Sequence, residues 1–317
     1  ERDIIVHGSK LRIGYVGSVC THPDYRGRGL ASTVLSATIN RFHENSVDFV
    51  CISGDRRMYR DAGSRIVGGI NRFIIRKSDA RNIEENNITF RIATEKDIKI
   101  LSAIYEKENL RLIRPLSDYE IVIKYGHCAG RPVEFLLITS NSLPVAYVVI
   151  TKLMRNGDKS YRRVMEYAGN REAIFLALRK MASEMPENSE IEIDIQNGDF
   201  LDILMKWQNI YNEPTTKPGT FCVIDFARTM SKLKTLFLSR FPKDVIDSMR
   251  FAYGRDRYVA WCNNGTLEID GLTNMVWAVL GTPPGEKISN IKATGIMQEM
   301  LENCLPVPLP PLEVNLI

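Results

Sequence analysis

Residues whose types and spacing suit the binding of a phosphate group lie near the start of the chain. Arg26, Gly27, Arg28 and Gly29 follow an apolar run over residues 15–19 and precede a segment of helical periodicity. Because glycine has no Cβ, the backbone at these two glycines can turn tightly and direct successive N–H groups at phosphate oxygens. The positive end of the following helix would face the same point. We call residues 26–29 the glycine turn; its spacing predicts a cradle for a pyrophosphate, and the alternative is a basic surface turn that only caps a helix.

The elements that must position this turn can be read from the sequence on either side of it. Apolar residues after the turn recur at spacings of three and four, which predicts a single helical face. The members of that face are Leu30, Ala31, Val34, Leu35, Ile39 and Phe42. A β-rich run over residues 47–53 and a short helical segment with Tyr59 ahead of Gly63 come next. The predicted order is therefore strand, glycine turn, helix, strand and short helix.

The pattern Arg26-x-x-Gly29-x-Ala31 resembles the acetyl-CoA signature of the GNAT N-acetyltransferases, R/Q-x-x-G-x-G/A. The lead-in over residues 19–25 and the order of elements are similar to those of the central half of a GNAT fold. This resemblance implies acetyl-CoA as cosubstrate, direct transfer to an amine, and a mixed α/β fold of the α+β class. A complete GNAT domain has further elements in front that shape much of the acceptor pocket, so we expect either that the N-terminal part is missing here or that the acceptor site is built differently.

Composition and charge narrow the class of protein. The 317 residues are 44% hydrophobic and 25% charged, which is ordinary for a globular protein with two or three domains. The net charge of +4 is spread along the chain without a basic block, so no nucleic-acid partner is expected. No apolar run is long enough to span a bilayer, and we expect no membrane association. Six scattered cysteines and four histidines predict neither a metal site nor disulfides and fit a cytoplasmic protein.

Breaks in composition predict three domains. A polar, charged stretch over residues 78–87 and a Pro/Gly-rich joint over residues 214–219 divide the chain into residues 1–80, 88–213 and 219–317. The middle part repeats the plan of the first. Where a glycine turn would stand it has Ala168, Gly169, Asn170 and Arg171 instead. We therefore expect this second, degenerate GNAT copy not to hold CoA.

The third part and the tail extend the resemblance. Residues 267–281 are similar to the sterol-carrier-like terminal domain of one GNAT branch, and the proline-rich residues 305–317 resemble the end of the enhanced-intracellular-survival (Eis) type of acetyltransferase. That resemblance implies tandem GNAT domains, a small-molecule acceptor such as an aminoglycoside or another polycationic amine, and a homo-oligomer, either a trimer or a hexamer. A lipid carrier, the alternative for this domain, would need an apolar cavity beneath Trp261 and Trp277.

The same resemblance assigns roles to individual residues. A strand over residues 15–21 would present the backbone groups of Val19 and Thr21 to the pantetheine arm, and an N–H there could bind the developing oxyanion. The pyrophosphate would be held by Arg26, Gly27, Arg28, Gly29, Leu30, Ala31 and Ser32. Tyr59 would act as general acid, since a phenol of ordinary pKa keeps its proton at neutral pH, and the terminal carboxylate of Ile317 would act as base. The alternatives are a packing tyrosine and a tail end without a role.

Two further alternatives concern the site. Arg56, Arg57 and Arg60 form either a solvated helix face or a contact with the CoA 3'-phosphate. A non-catalytic acyl-CoA sensor or scaffold would use the same glycine turn. Only the enzyme needs Tyr59 for turnover.

Overall fold

The structure, a computed structural model, describes residues 1–80 and 87–312 and contains two compact units. The first unit comprises Glu1–Gly69 and Thr215–Leu309, and the second comprises Ile70–Pro214 and the described residues from Pro310. The three domains predicted from the sequence stay a prediction, because the structure is divided into two compact units and not into three.

The strands of the described residues are numbered in chain order. They are β1 Arg2–Val6, β2 Ser9–Val16, β3 Phe49–Ile52, β4 Ile70–Arg76, β5 Ile88–Ile92, β6 Leu110–Leu112, β7 His127–Cys128, β8 Arg131–Ser140, β9 Leu143–Thr151, β10 Met154–Asn156, β11 Lys159–Gly169, β12 Ser189–Gln196, β13 Tyr211–Thr215, β14 Thr220–Val223, β15 Arg250–Gly254, β16 Arg257–Cys262, β17 Gly265–Asp270 and β18 Ile291–Ala293.

The α-helices are numbered in the same way. They are α1 Leu30–Glu44, α2 Arg57–Asp61, α3 Ile98–Tyr105, α4 Leu116–Tyr125, α5 Arg171–Glu184, α6 Phe200–Trp207, α7 Phe226–Lys232, α8 Lys234–Phe237, α9 Lys243–Ser248, α10 Leu272–Leu280 and α11 Gly295–Asn303. No helix within the two described ranges has the length and apolar content needed to cross a membrane. This mixture of sheets and helices confirms the predicted mixed α/β fold class.

The sheet of the first unit has the order β14-β3-β2-β1. Strands β2 and β3 run parallel and are joined through α1, whereas the other neighbours are antiparallel. Helix α1 packs closely against β2 at Gly14, where a Cβ would lie 2.9 Å from the ring of Phe42. The strand pairing ends at Val16 and Ile52, where the N–H of Ser53 donates to the Val16 carbonyl over 2.8 Å. The glycine turn therefore comes after the carboxyl end of β2 in the chain, beyond the point where β2 and β3 stop pairing.

The predicted apolar face of α1 is only partly buried. Leu35 and Phe42 are buried, but Leu30 and Val34 are 45% and 65% exposed, which corrects the expectation for these two residues. At about 100° per residue, Leu35 and Phe42 point in nearly the same direction, while Leu30 and Val34 lie about 90° or more away from it.

Two strands join sheets that are remote from them in sequence. The fourth strand of the first unit's sheet is β14, which pairs with β3 although the partners Thr220 and Ile52 are 168 residues apart. Strand β4, which directly follows the first GNAT-like segment in sequence, pairs with β12 inside the second unit. Gly219 allows the close approach of β14, since a Cβ there would lie 2.5 Å from the Ile52 carbonyl oxygen.

The second unit repeats the parallel strand-helix-strand plan. Its main sheet has the order β13-β4-β12-β11-β9-β8-β5, with β11 and β12 parallel and α5 between them. Successive side chains of β9 alternate between two apolar clusters, with Val148 in the cluster that includes α5 and Val149 in the cluster that includes α3. Both faces of this sheet are therefore covered.

The later part of the first unit adds an antiparallel sheet of order β15-β16-β17-β18. Helix α10 connects this part to the segment after α2. The indole N–H of Trp277 donates to the Ile66 carbonyl over 3.0 Å, and the N–H of Gly68 donates to the Gly281 carbonyl over 3.1 Å. A Cβ at Gly68 would lie 2.2 Å from the Thr282 oxygen, so this backbone contact requires a glycine.

Candidate active site

The segment between β2 and the glycine turn is not a strand. Strand β2 ends at Val16, so the expectation of a strand reaching Thr21 is wrong. Ser18 has φ 54°, which takes the backbone out of the extended region. Val19 still packs, half-buried, against the apolar cluster that contains Leu35. The carbonyl of Thr21 accepts a hydrogen bond of 3.2 Å from Arg26 Nε, so this side chain holds the lead-in against the turn.

Both glycines of the turn need the left-handed region. Gly27 has φ 76° and Gly29 has φ 72°, and a Cβ at either position would meet no other atom within 4 Å. Backbone conformation, rather than lack of space, therefore requires glycine here. Gly29 is the N-cap of α1 and its carbonyl accepts from the Thr33 N–H over 3.0 Å.

The amide groups of this turn are available to an anion. The N–H groups of Leu30, Ala31 and Ser32 belong to the first turn of α1, where an α-helix offers no internal acceptor. The N-cap contributes no side-chain hydrogen bond and no acidic residue stands in the first turn. The helix dipole acts in the same direction. The residues present therefore fit a diphosphate, as the spacing predicted.

Tyr59 lies in the same apolar cluster as the helix that follows the glycine turn. Its side chain is 2% exposed and packs in one cluster with Leu35 and Phe42 of α1 and with Val19. Its ring carbon Cε2 lies 3.9 Å from the Cβ position of Gly54, just beyond the end of β3. Among the described residues no hydrogen-bond partner of its hydroxyl is found, and that oxygen is not among the fully buried unpartnered atoms. The structure thus brings Tyr59, Val19 and α1 together.

The terminal carboxylate assigned to Ile317 lies outside the described residues. The chain leading to it can be followed within the first unit as far as Leu309. The N–H of Val307 donates to the Val279 carbonyl over 2.7 Å, and the side chains of Val307 and Leu309 are buried. This part of the tail is therefore fixed along α10, the helix that is bonded to the segment after Tyr59.

Two of the three arginines around α2 form ion pairs with aspartates. Arg60 Nη1 lies 2.7 Å from Asp55 Oδ1, and Arg57 Nε lies 3.6 Å from Asp61 Oδ2. Arg56 has no carboxylate partner among the described residues. These contacts favour the solvated-face interpretation for Arg57 and Arg60.

The match to a family model decides what kind of domain carries this site. Residues 1–67 match the model of the acetyltransferase (GNAT) domain. The chain carries a GNAT acetyltransferase domain. It is accordingly an acetyltransferase, and acetyl-CoA is the acetyl donor of the GNAT family. No curated protein sequence matches the chain.

Solved structures show the same fold at low sequence identity. The GCN5-related N-acetyltransferase of Anabaena variabilis aligns with a TM-score of 0.65 and 15% identity over 98% of this chain and 83% of its own. The GCN5-related N-acetyltransferase of Kribbella flavida gives 0.61 and 14% over 98% and 82%. Eis1 of Mycobacterium abscessus gives 0.56 and 12% over 99% and 86%. These three structures therefore share their fold with 98–99% of this chain and not only with the residues that match the GNAT model.

In the second unit a carboxylate binds the segment that joins β11 to α5, at residues 169–171. Glu108 Oε1 accepts from the Gly169 N–H over 2.7 Å and from Arg171 Nη1 over 2.8 Å, while its Oε2 accepts from Arg171 Nη2 over 2.7 Å. The Asn170 side chain takes the N–H of Ala173 over 2.8 Å. The Gly169 and Ala173 amides and the Arg171 guanidinium are therefore already bonded within the protein. The sequence pattern pointed to Arg171 but not to Glu108, which lies 61 residues before Gly169.

The described residues contain no group of three or more His, Cys, Asp and Glu side chains placed to hold a metal ion. Cys20, beside the glycine turn, is exposed and has a free thiol.

Proposed function

We propose that the chain transfers the acetyl group of acetyl-CoA directly to a primary amine. The observation that carries this proposal is the glycine turn. Two left-handed glycines are followed directly by the first turn of α1, whose amides have no acceptor within the helix, and both belong to a segment that matches the GNAT model. Residues 26–32 would hold the diphosphate, and backbone groups of Val19 and Thr21 would accompany the pantetheine arm.

In the transfer, the amine nitrogen attacks the thioester carbonyl carbon. A C–N bond forms, the C–S bond breaks, and the electron pair of that bond leaves on sulfur as a thiolate. The thiolate takes a proton and the attacking amine loses one, so the reaction needs one acid and one base. An N–H donor at the developing oxyanion adds about 3 kcal/mol of transition-state stabilisation in comparable sites.

Tyr59 is the proposed acid. Its place on α2, the burial of its side chain and its hydroxyl, which has no hydrogen-bond partner among the described residues, support that role, because such a donor can turn to the leaving sulfur. The proposed base is the C-terminal carboxylate of Ile317. Two observations support this base. Val307 is buried and its N–H donates to the Val279 carbonyl of α10, which fixes this part of the tail. The tail is also rich in proline, so it loses less entropy when it becomes ordered than a flexible tail would.

The finer assignments rest on the family resemblance. They are a polycationic or aminoglycoside-like acceptor, the Eis type with a degenerate second GNAT copy and a sterol-carrier-like third domain, a trimer or hexamer, and a cytoplasmic location. The carboxylate bound at Gly169 supports the degenerate copy. The names of the two GCN5-related relatives support an amine as acceptor.

A thiol-release assay with acetyl-CoA and a panel of amines tests the proposal. Tyr59→Phe is expected to lower kcat by about 100-fold or more while the Kd for acetyl-CoA stays within about twofold, because only the proton donor is lost. The matched control is Tyr119→Phe, the same change at a buried tyrosine of the second unit, and it should leave kcat unchanged.

Full turnover by Tyr59→Phe would remove Tyr59 as the acid. Absence of thiol release with every amine, while acetyl-CoA still binds, would favour the sensor alternative instead. The role of the terminal carboxylate is tested separately with a chain that lacks Leu316 and Ile317, which should bind acetyl-CoA but turn over slowly.

A further inference from the structure

Helix α6 of the second unit carries an apolar stripe that the described residues leave uncovered. Its inner side belongs to the core of that unit, where Leu201 and Met205 are buried in the cluster that includes α5. On the outer side, Phe200 is 50% exposed, Ile203 54% and Trp207 75%. Steps of three and four residues place these three side chains on one face of the helix. We call them the α6 stripe.

The two charged residues of α6 are paired with each other. Lys206 Nζ lies 2.9 Å from Asp202 Oδ2. Asp199, the N-cap of the helix, is paired with Arg171 over 3.1 Å. Surfaces that bind nucleic acid or an anionic membrane present basic residues free to meet phosphates, whereas both cations here already have a carboxylate. The chemistry of the α6 stripe therefore suits an apolar protein surface.

A second copy of the chain offers such a surface. In a two-fold contact the same patch lies on both protomers, and an uncharged patch meets its own copy without like-charge repulsion. If two α6 helices pack antiparallel, Ile203, which is near the middle of the stripe, lies opposite the partner's Ile203. Phe200 of one protomer then lies opposite the partner's Trp207. The stripe is therefore complementary to itself, with an aliphatic side chain at the centre and an aromatic ring at each end.

The exposed area is large enough for a weak contact of this kind. At the end of α6 the chain turns back, since the N–H of Ile210 donates to the Met205 carbonyl over 3.0 Å, and this keeps Tyr211, which is 50% exposed, next to the helix. With side chains of roughly 150–250 Å² each, the stripe and Tyr211 leave about 500 Å² accessible on each protomer. Covering both removes about 1,000 Å² from water, which is the lower limit for a specific interface. Exposed apolar patches of this size mark protein–protein contacts.

We propose that the α6 stripe is a two-fold contact between two copies of this chain, with α6 packed antiparallel against the partner's α6. A two-fold contact joins protomers in pairs, so it fits a dimer or a hexamer and not a lone trimer. The contact gives the homo-oligomer of the proposed function a surface. It depends neither on CoA nor on acetyl transfer, because all of its residues belong to the second unit.

Sedimentation velocity over a concentration series of the full chain tests the inference. The wild type is expected to show an association step that doubles the mass, with a Kd in the micromolar range, as for a small apolar interface. Ile203→Glu places two carboxylates opposite each other at the two-fold axis and should raise that Kd about 100-fold or more. Trp207→Ala should raise it about 30-fold, since tryptophan is the typical hot-spot residue of an interface.

Ile92→Glu is the matched control. Ile92 lies on β5 of the same unit and is 59% exposed, so the same substitution there should leave the association step unchanged. A mixture supplies the sharper test. Ile203→Glu and Ile203→Lys should each stay apart alone and should recover the step when mixed in equal amounts, because opposite charges then face each other at the axis.

Three results overturn the inference: a wild type that does not double its mass, an Ile203→Glu variant that associates like the wild type, and folded Glu and Lys variants whose mixture stays apart. Calorimetry with acetyl-CoA keeps this inference separate from the proposed function. The stripe variants should bind acetyl-CoA like the wild type, since residues 26–32 are unchanged in them. Failure of the wild type to bind acetyl-CoA would contradict the proposed function, while the sedimentation result still decides the contact.

Discussion

Replacement of Gly29 by alanine isolates the contribution of the left-handed backbone to cofactor binding. Gly29 has φ 72° and a Cβ there would meet no atom of the protein within 4 Å, so Gly29→Ala adds strain and no steric clash within the chain. An alanine in this region costs about 1–2 kcal/mol relative to its preferred conformations. If the turn relaxes to avoid that cost, binding must restore it, and the Kd for CoA should rise about 5- to 30-fold.

The control for this experiment is Gly130→Ala. Gly130 has φ 73° and equally open surroundings, but it lies in the turn between β7 and β8 of the second unit. Each variant should lose at most about 1–2 kcal/mol of the free energy of unfolding, measured by denaturant titration, and only Gly29→Ala should lose affinity in calorimetry. A folded Gly29→Ala variant that binds CoA as tightly as the wild type would refute the assignment of the glycine turn.

Three further predictions concern other parts of the structure. Calorimetry should find one CoA per chain, because Glu108 already bonds the donors at the second turn; two sites would show that this carboxylate can be displaced. Glu166→Leu should lower the free energy of unfolding by about 3–5 kcal/mol, since it strands Arg114 in a pair whose side chains are both 1% exposed. The double variant with Arg114→Leu should recover part of that loss, and an equal loss in both would contradict the reasoning. Burial lowers the pKa of the Lys217 amine to about 7, so between pH 7 and its ordinary value the unfolded chain binds a proton that the folded chain lacks. Stability should therefore rise over this range by up to about 1.4 kcal/mol per pH unit, and Lys217→Met should flatten the curve.

Local pattern was sufficient to predict the glycine turn and the elements around it. Glycines two residues apart, followed at once by helical periodicity, allow few other backbone geometries, and the structure has the left-handed turn and α1 where they were expected. Tyr59 on a short helix was also placed correctly. The end of β2 was not, because Val19 and Thr21 carry β-favouring side chains while Ser18 turns the backbone.

Long-range features could not be predicted from one sequence. Strand β14 reads as a plausible strand in isolation, but nothing in residues 220–223 specifies β3 as its partner, since sheet pairing depends on packing across the whole unit. The same holds for β4 and β12. Glu108 was missed for a related reason, because a lone acidic residue in a loop is normally solvated and only the folded chain brings it to the Gly169 amide.

A crystal structure of the chain with acetyl-CoA will show whether the amides of the glycine turn hold the diphosphate of CoA. We expect diphosphate oxygens about 3 Å from amide nitrogens among residues 27–32, and none at the turn that contains Gly169. A cofactor bound elsewhere, with the glycine turn bare, would contradict it.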